Sequence, residues 1–124
     1  MAKKILVIDD EPDILTMVAK RLDANRYTVV TAGSGEEGLA KAKQECPDLV
    51  FLDYIMPGMT GDEVLCRLKQ DPETKKIPVI IFTAATKKMK VGEFQALGAA
   101  GCLFKPFTSD GLLGRIREVL GGEA

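Results

Sequence analysis

Two hydrophobic patterns alternate along the chain. Short unbroken apolar runs, closed by polar or turn residues, are separated by segments whose apolar positions recur every three or four residues. An unbroken run of roughly four to eight apolar residues fits a strand buried on both faces, and the longer spacing fits an amphipathic helix. The first run, Lys3-Lys4-Ile5-Leu6-Val7-Ile8, ends in Asp9-Asp10. Pro12 suits a first helical position, and Ile14, Leu15, Val18 and Leu22 follow at helical spacing until Asp23, Asn25 and Arg26. Tyr27 to Ala32 is short and β-branched, which predicts a strand. Ser34, with Glu37 three residues on, makes a capping box for a helix to about Glu45, stopped by Cys46-Pro47.

The third run, Leu49-Val50-Phe51-Leu52, leads straight into Asp53 and the loop Tyr54-Ile55-Met56-Pro57-Gly58. Thr60 and Glu63 form a second capping box, for a helix through Val64, Leu65 and Leu68 that Asp71-Pro72 closes. Ile77 to Phe82 is a fourth strand, ending at Thr83-Ala84-Ala85. Thr86 opens a helix carrying Met89, Phe94 and Leu97, with Gly98 as its carboxyl-end glycine. Ala100 to Phe104 is the shortest strand and enters Lys105-Pro106-Phe107. Thr108 or Ser109 opens the last helix, with Leu112, Leu113, Ile116, Val119 and Leu120 on one face and Gly121-Gly122 at its end.

Strand and helix thus alternate five times over residues 1–124, with no internal linker. That pattern predicts one α/β domain, a parallel sheet with helices on both faces. Right-handed crossovers bring every strand's carboxyl end to one edge. Asp9, Asp10, Asp53, Thr83 and Lys105 all fall there, in the crevice where such sheets place ligands.

Composition narrows the chemistry. The chain is 46% hydrophobic and 28% charged, ordinary for a globular domain. A net charge of -1 gives no field for nucleic acid or an anionic membrane, so no direct nucleic-acid binding is expected. No apolar run reaches the roughly 20 residues of a membrane span, and no signal-peptide pattern opens the chain. Cys46, Cys66 and Cys102 are odd in number and far apart, which fits reduced thiols in a cytoplasmic protein. With no His, the chain offers neither a histidine base nor a histidine metal ligand. Three clustered carboxylates repel one another, and a hard divalent cation removes that cost. An oxygen-only donor set suits Mg2+ or Mn2+ better than zinc. With the Lys105 ammonium and the Thr83 hydroxyl alongside, the crevice fits a phosphoryl group carried by a carboxylate, and an aspartate can itself be the nucleophile.

Four motifs carry a family resemblance: Val7-Ile8-Asp9-Asp10-Glu11, Leu52-Asp53-Tyr54-Ile55-Met56-Pro57-Gly58-Met59-Thr60-Gly61, Phe82-Thr83-Ala84 and Lys105-Pro106-Phe107. In this order and spacing the chain resembles the receiver domain of two-component response regulators from Lys3 to Leu120. The resemblance implies a flavodoxin-like doubly wound fold with strand order 2-1-3-4-5. It implies that Asp53 accepts a phosphoryl group from a histidine kinase, a phosphotransfer protein or a small phosphodonor. Asp10 and Asp53 would bind magnesium directly with the Ile55 backbone carbonyl, and Asp9 mainly through a metal-bound water. Thr83, Ala84 and Lys105 would receive the phosphoryl group, with Lys105 first paired to Asp53. The Lys105-Pro106 peptide would be cis. The output would be a shift of the face made by the fourth helix, the fifth strand and the last helix. A downstream effector protein or domain, or a phosphorylation-dependent homodimer, would read it. No enzymatic activity is implied beyond the protein's own phosphorylation and dephosphorylation. The alternative is a receiver-like docking scaffold that is never phosphorylated.

The chain departs from the family pattern at three positions. Cys102 stands where the family usually has Tyr or Phe, and the simplest expectation is a compact buried thiol filling that site. Ile55 and Ala85 hold the positions that usually tune attack of water on the acyl phosphate. Neither side chain orients a water, so slow self-dephosphorylation is expected. Lys87, Lys88 and Lys90 crowd the first turn of the fourth helix against its dipole. Two rivals share parts of this pattern. Flavodoxin and dinucleotide-binding folds need a Gly- or Thr-rich first turn, where this chain has Asp9-Asp10-Glu11-Pro12. A haloacid-dehalogenase-type phosphatase needs D-x-D on the first strand, which Asp9-Asp10-Glu11 does not match.

Overall fold

The computed structural model describes residues 3–54, 56–83, 96–105 and 107–120, with only the backbone of Thr83. Five strands are present: β1 (Lys4–Ile8), β2 (Thr28–Ala32), β3 (Leu49–Asp53), β4 (Val79–Thr83) and β5 (Gly101–Phe104). Helices α1 (Pro12–Ala24), α2 (Gly35–Glu45), α3 (Gly61–Gln70) and α4 (Ser109–Leu120) lie among the described residues. The helix expected from Thr86 falls mostly on residues 84–95, outside the described set, with Lys87, Lys88 and Lys90. Gly98, expected at that helix's end, has φ +102°, a conformation natural to glycine.

All four strand pairings are parallel, in the order β2-β1-β3-β4-β5. This is the doubly wound α/β architecture that the strand-helix alternation implies. The unbroken apolar runs work because alternate residues serve opposite faces. Leu6, Ile8, Val50, Leu52, Val79, Ile81 and Cys102 pack with Ala42 of α2 and Val64, Leu65 and Leu68 of α3. Ile5, Val7, Leu49, Phe51, Ile80, Phe82 and Leu103 pack with Val18 and Leu22 of α1 and Leu112, Leu113 and Ile116 of α4. The two half-cores leave the sheet rigid and hold the strand ends in fixed register. Among the described residues no helix is long and apolar enough to cross a membrane.

The helix starts differ from expectation in one respect. Ser34 caps α2: its hydroxyl accepts from the Glu37 N–H at 3.1 Å, while Glu37 Oε1 reaches back to the Gly33 N–H at 2.7 Å. Thr60 makes no side-chain cap bond, and Glu63 pairs instead with Arg67 at 3.1 Å, so the second capping box does not form. The start of α3 is set by the end of β3. The Gly61 N–H donates to the Tyr54 carbonyl at 2.9 Å, and a Cβ on Gly61 would stand 2.5 Å from Tyr54 Cα. Only glycine fits that approach. At the last helix, the Thr108 hydroxyl accepts from the Gly111 N–H at 3.0 Å, so Thr108 is the cap. Ile77 and Pro78 precede β4 rather than belonging to it.

Candidate phosphoacceptor and metal site

β1 ends at Ile8, one residue before Asp9; β3 ends on Asp53; β4 ends on Thr83; and β5 ends at Phe104, one residue before Lys105. Parallel register puts these ends side by side, with Ile8 opposite Leu52, Asp53 opposite Phe82 and Thr83 opposite Phe104. One carboxylate oxygen from each of Asp9, Asp10 and Asp53 lies within 4.8 Å of the others. Asp9 and Asp53 are buried, at 0% and 3% exposure, and Asp10 is exposed. The cluster is therefore two carboxylates in the protein wall and a third at the mouth.

Lys105 closes the site from the β5 side. Its ammonium donates to Asp9 Oδ2 at 2.8 Å and lies 3.6 Å from both Asp53 Oδ2 and Glu11 Oε1. The other oxygen of Asp9 accepts the Glu11 N–H at 2.9 Å. The ammonium also sits 4.8 Å from the centre of the Phe82 ring, a cation–π distance. Phe82 is held edge-on by Phe51 and Phe107, with ring centres 5.9 and 6.2 Å away. Burial pulls the Lys105 ammonium toward neutrality. The hydrogen bond it donates to Asp9 and the charges of Asp53, Asp9 and Glu11 outweigh it, so its pKa is raised above the ordinary 10.5. Lys105 stays a cation at neutral pH.

Asp9, Asp10, Asp53 and Lys105 thus meet at the sheet edge to which the sequence assigns them. Thr83 ends β4 at the same edge, its side chain lying outside the described residues; Ile55, Ala84, Ala85 and Pro106, with the Lys105-Pro106 peptide, also lie outside them. The lysine's nearest carboxylate is Asp9 rather than Asp53. Two participants were missed. Glu11 is quoted in the first motif without a role, although its place directly after the acidic pair is a signal. Phe82 reads as one more apolar residue of β4, and nothing in its spacing marks it as the ring beneath the lysine.

Cys102 lies in β5 opposite Ile81 and is buried, as a small thiol filling its site should be. Burial pushes this thiol above its ordinary pKa, against the opposing influences of Arg115 and a backbone hydrogen bond at Leu103. Its carbonyl accepts from Arg115 Nε at 3.1 Å. Beside it a groove of about 550 Å³ runs between β5 and α4, lined by Pro78, Ala100, Gly101, Cys102, Phe104, Arg115, Glu118 and Val119.

Comparison with known proteins agrees with this geometry. A family model described as the response regulator receiver domain matches residues 5–117. The chain is 36% identical over 119 residues to protein PilH of Pseudomonas aeruginosa, covering 96% of this chain and 98% of that protein. It is 33% identical over 120 residues to the phosphate regulon transcriptional regulatory protein PhoB of Rhizobium meliloti, covering 97% of this chain and 53% of PhoB. It spans about half the length of that regulator and of PhoP from Bacillus subtilis. The solved structure of chemotaxis protein CheY4 from Vibrio cholerae superposes with a TM-score of 0.90 at 36% identity, covering 96% of this chain and 99% of CheY4.

Proposed function

Because the chain belongs to the family of response regulator receiver domains, we propose that it is phosphorylated on Asp53 and signals through that modification. The observation that carries this reading is the meeting, among the described residues, of three carboxylates within 4.8 Å with the partly buried ammonium of Lys105. The donor set is all oxygen, with one exposed member, which fits a hard divalent cation that keeps several waters. Asp10, Asp53 and the Ile55 carbonyl would hold Mg2+, or Mn2+ in its place. Asp9, with one oxygen on Lys105 and the other on the Glu11 N–H, suits an outer role through water. When bound, the ion supplies neutralising charge to the carboxylates and to the incoming phosphoryl oxygens.

An Asp53 carboxylate oxygen attacks the phosphorus of a kinase or phosphotransfer-protein phosphohistidine, or of a small phosphodonor. The donor's P–N bond (P–O in an acyl phosphate) breaks, and its electron pair leaves with the imidazole or carboxylate. Lys105 keeps its proton throughout and follows the new charge, about -1.5 to -2 with three acceptor oxygens. Thr83 and Ala84 would take the remaining phosphoryl oxygens. The shift at the ends of β4 and β5 would then reach the β5–α4 face, where an effector protein, an effector domain or a second copy reads it. On this reading the protein is a cytoplasmic signalling module whose chemistry is its own phosphorylation and slow dephosphorylation.

Intact mass spectrometry after incubation with acetyl phosphate and magnesium tests the reading. One added phosphoryl group is expected, absent in Asp53→Asn and in the metal-free control. A folded wild type that gains no mass is a docking scaffold instead.

A further inference from the structure

Glu11 stands at the mouth of the crevice, at the amino-terminal cap position of α1. Its Oε1 is 3.6 Å from Lys105 Nζ, the same separation as Asp53 Oδ2. Its N–H donates to Asp9 Oδ1, while Lys105 donates to Asp9 Oδ2. Asp9 and Glu11 therefore form one acidic arm, and Lys105 spans the gap between that arm and Asp53. The arm is fixed at its root: Pro12 follows Glu11 and holds it extended, at φ -93° and ψ 111°. The lysine side chain is only 11% exposed, so its position is set by these partners, whereas the Glu11 side chain is 61% exposed.

We propose that Glu11 is a positioning residue whose carboxylate holds the Lys105 ammonium on the Asp9 side of the crevice, against its engagement with a phosphoryl group on Asp53. The proposal rests on Asp53 being the acceptor. The ammonium is hydrogen-bonded to Asp9 at 2.8 Å, and at 3.6 Å it stands equally far from Glu11 and Asp53, each beyond hydrogen-bond length but within ion-pair range. Moving it onto phosphoryl oxygens lengthens the Glu11 pair. Glu11 thereby keeps the unphosphorylated arrangement populated and sets how much of the lysine's attraction reaches the phosphoryl group.

Two measurements on the full chain test this. In metal-free protein, urea unfolding of wild type, Glu11→Gln, Lys105→Met and the double variant forms a mutant cycle. Coupling of roughly two- to five-fold in the unfolding constant is expected, the size of a solvent-facing ion pair. Under saturating magnesium, Glu11→Gln should bind beryllofluoride, a phosphoryl mimic, roughly two-fold or more tighter than wild type. Glu11→Asp should stay nearer to wild type. Lower metal-free stability together with tighter beryllofluoride binding is the signature, since a merely structural residue would weaken both. Zero coupling to Lys105, or beryllofluoride affinity unchanged or reduced in Glu11→Gln, overturns the proposal. A wild type that binds no beryllofluoride overturns the Asp53 reading as well, and the two failures are thus told apart.

Discussion

The two ends of the sheet treat charge in opposite ways. At the amino end, the Lys4 N–H donates to Asp48 Oδ2 at 2.7 Å, and the Lys4 ammonium meets Glu45 Oε1 at 3.2 Å and the Glu45 carbonyl at 3.1 Å. Each acidic group there has its own donor. At the carboxyl end, among the described residues, the Lys105 ammonium faces Asp9, Glu11 and Asp53, and Asp10 joins Asp9 and Asp53 in one carboxylate cluster. The first arrangement is complete in itself and fastens β1 to the chain entering β3. The second sets, among the described residues, one ammonium against several carboxylates in a partly buried place, a crowding of like charge that a bound cation would relieve. Unbalanced charge marks the site; balanced charge marks structure.

The largest expected effect concerns the loop that shapes the unbalanced end. Gly61→Ala would place a methyl 2.5 Å from Tyr54 Cα and 2.9 Å from the Asp53 and Tyr54 carbonyls. Backbone cannot yield there, and a loss of about 3 kcal/mol is expected from urea unfolding, with phosphorylation impaired alongside. The next test sets the two ends against each other. Asp48→Ala removes the acceptor of the Lys4 N–H and should cost about 1.5 kcal/mol, with or without magnesium. Asp10→Asn in metal-free protein should instead raise stability by about 1 kcal/mol by relieving repulsion. Under saturating magnesium the Asp10→Asn advantage should reverse. A loss at both ends in metal-free protein would break the contrast.

A smaller effect follows from Lys105. Its pKa is raised on folding, so its stabilisation is complete below the ordinary 10.5 and is lost as pH rises through the higher folded value. The stability difference between wild type and Lys105→Met should be flat from about pH 7 to 9 and shrink only above about 10.5. Unfolding midpoints across that range measure it, and a difference that fades below pH 9 would contradict the assignment of the raised pKa to the acidic cluster.

Much of this was legible in the sequence because it depends on period and order. Apolar runs ending in Asp9 and Asp53, and one ending just before Lys105, place those residues at one edge once the strands are parallel. What was not legible depends on who meets whom in three dimensions. Ser34 and Thr60 have the same capping pattern, yet Ser34 has φ -153° and bonds, while Thr60 has φ -75° and does not. The difference is tertiary: Gly61 is drawn against Tyr54, and that contact fixes the backbone before Thr60 can cap. Ser34→Ala should therefore cost about 1 kcal/mol and Thr60→Ala close to nothing, by urea unfolding, the smallest effect expected here. The preference of Lys105 for Asp9, and the ring of Phe82 beneath it, are likewise set by packing across β1, β4 and β5 that no local pattern encodes.

Magnesium binding to the metal-free protein tests the central contrast most directly. The thermal midpoint would be followed against magnesium concentration for wild type, Asp10→Asn, Asp53→Asn and Asp48→Asn. A saturable rise is expected in wild type and in Asp48→Asn, and a strongly reduced one in the other two. A flat wild-type midpoint, or the same rise in all four proteins, would contradict the assignment of the carboxyl edge as the metal and phosphoacceptor site.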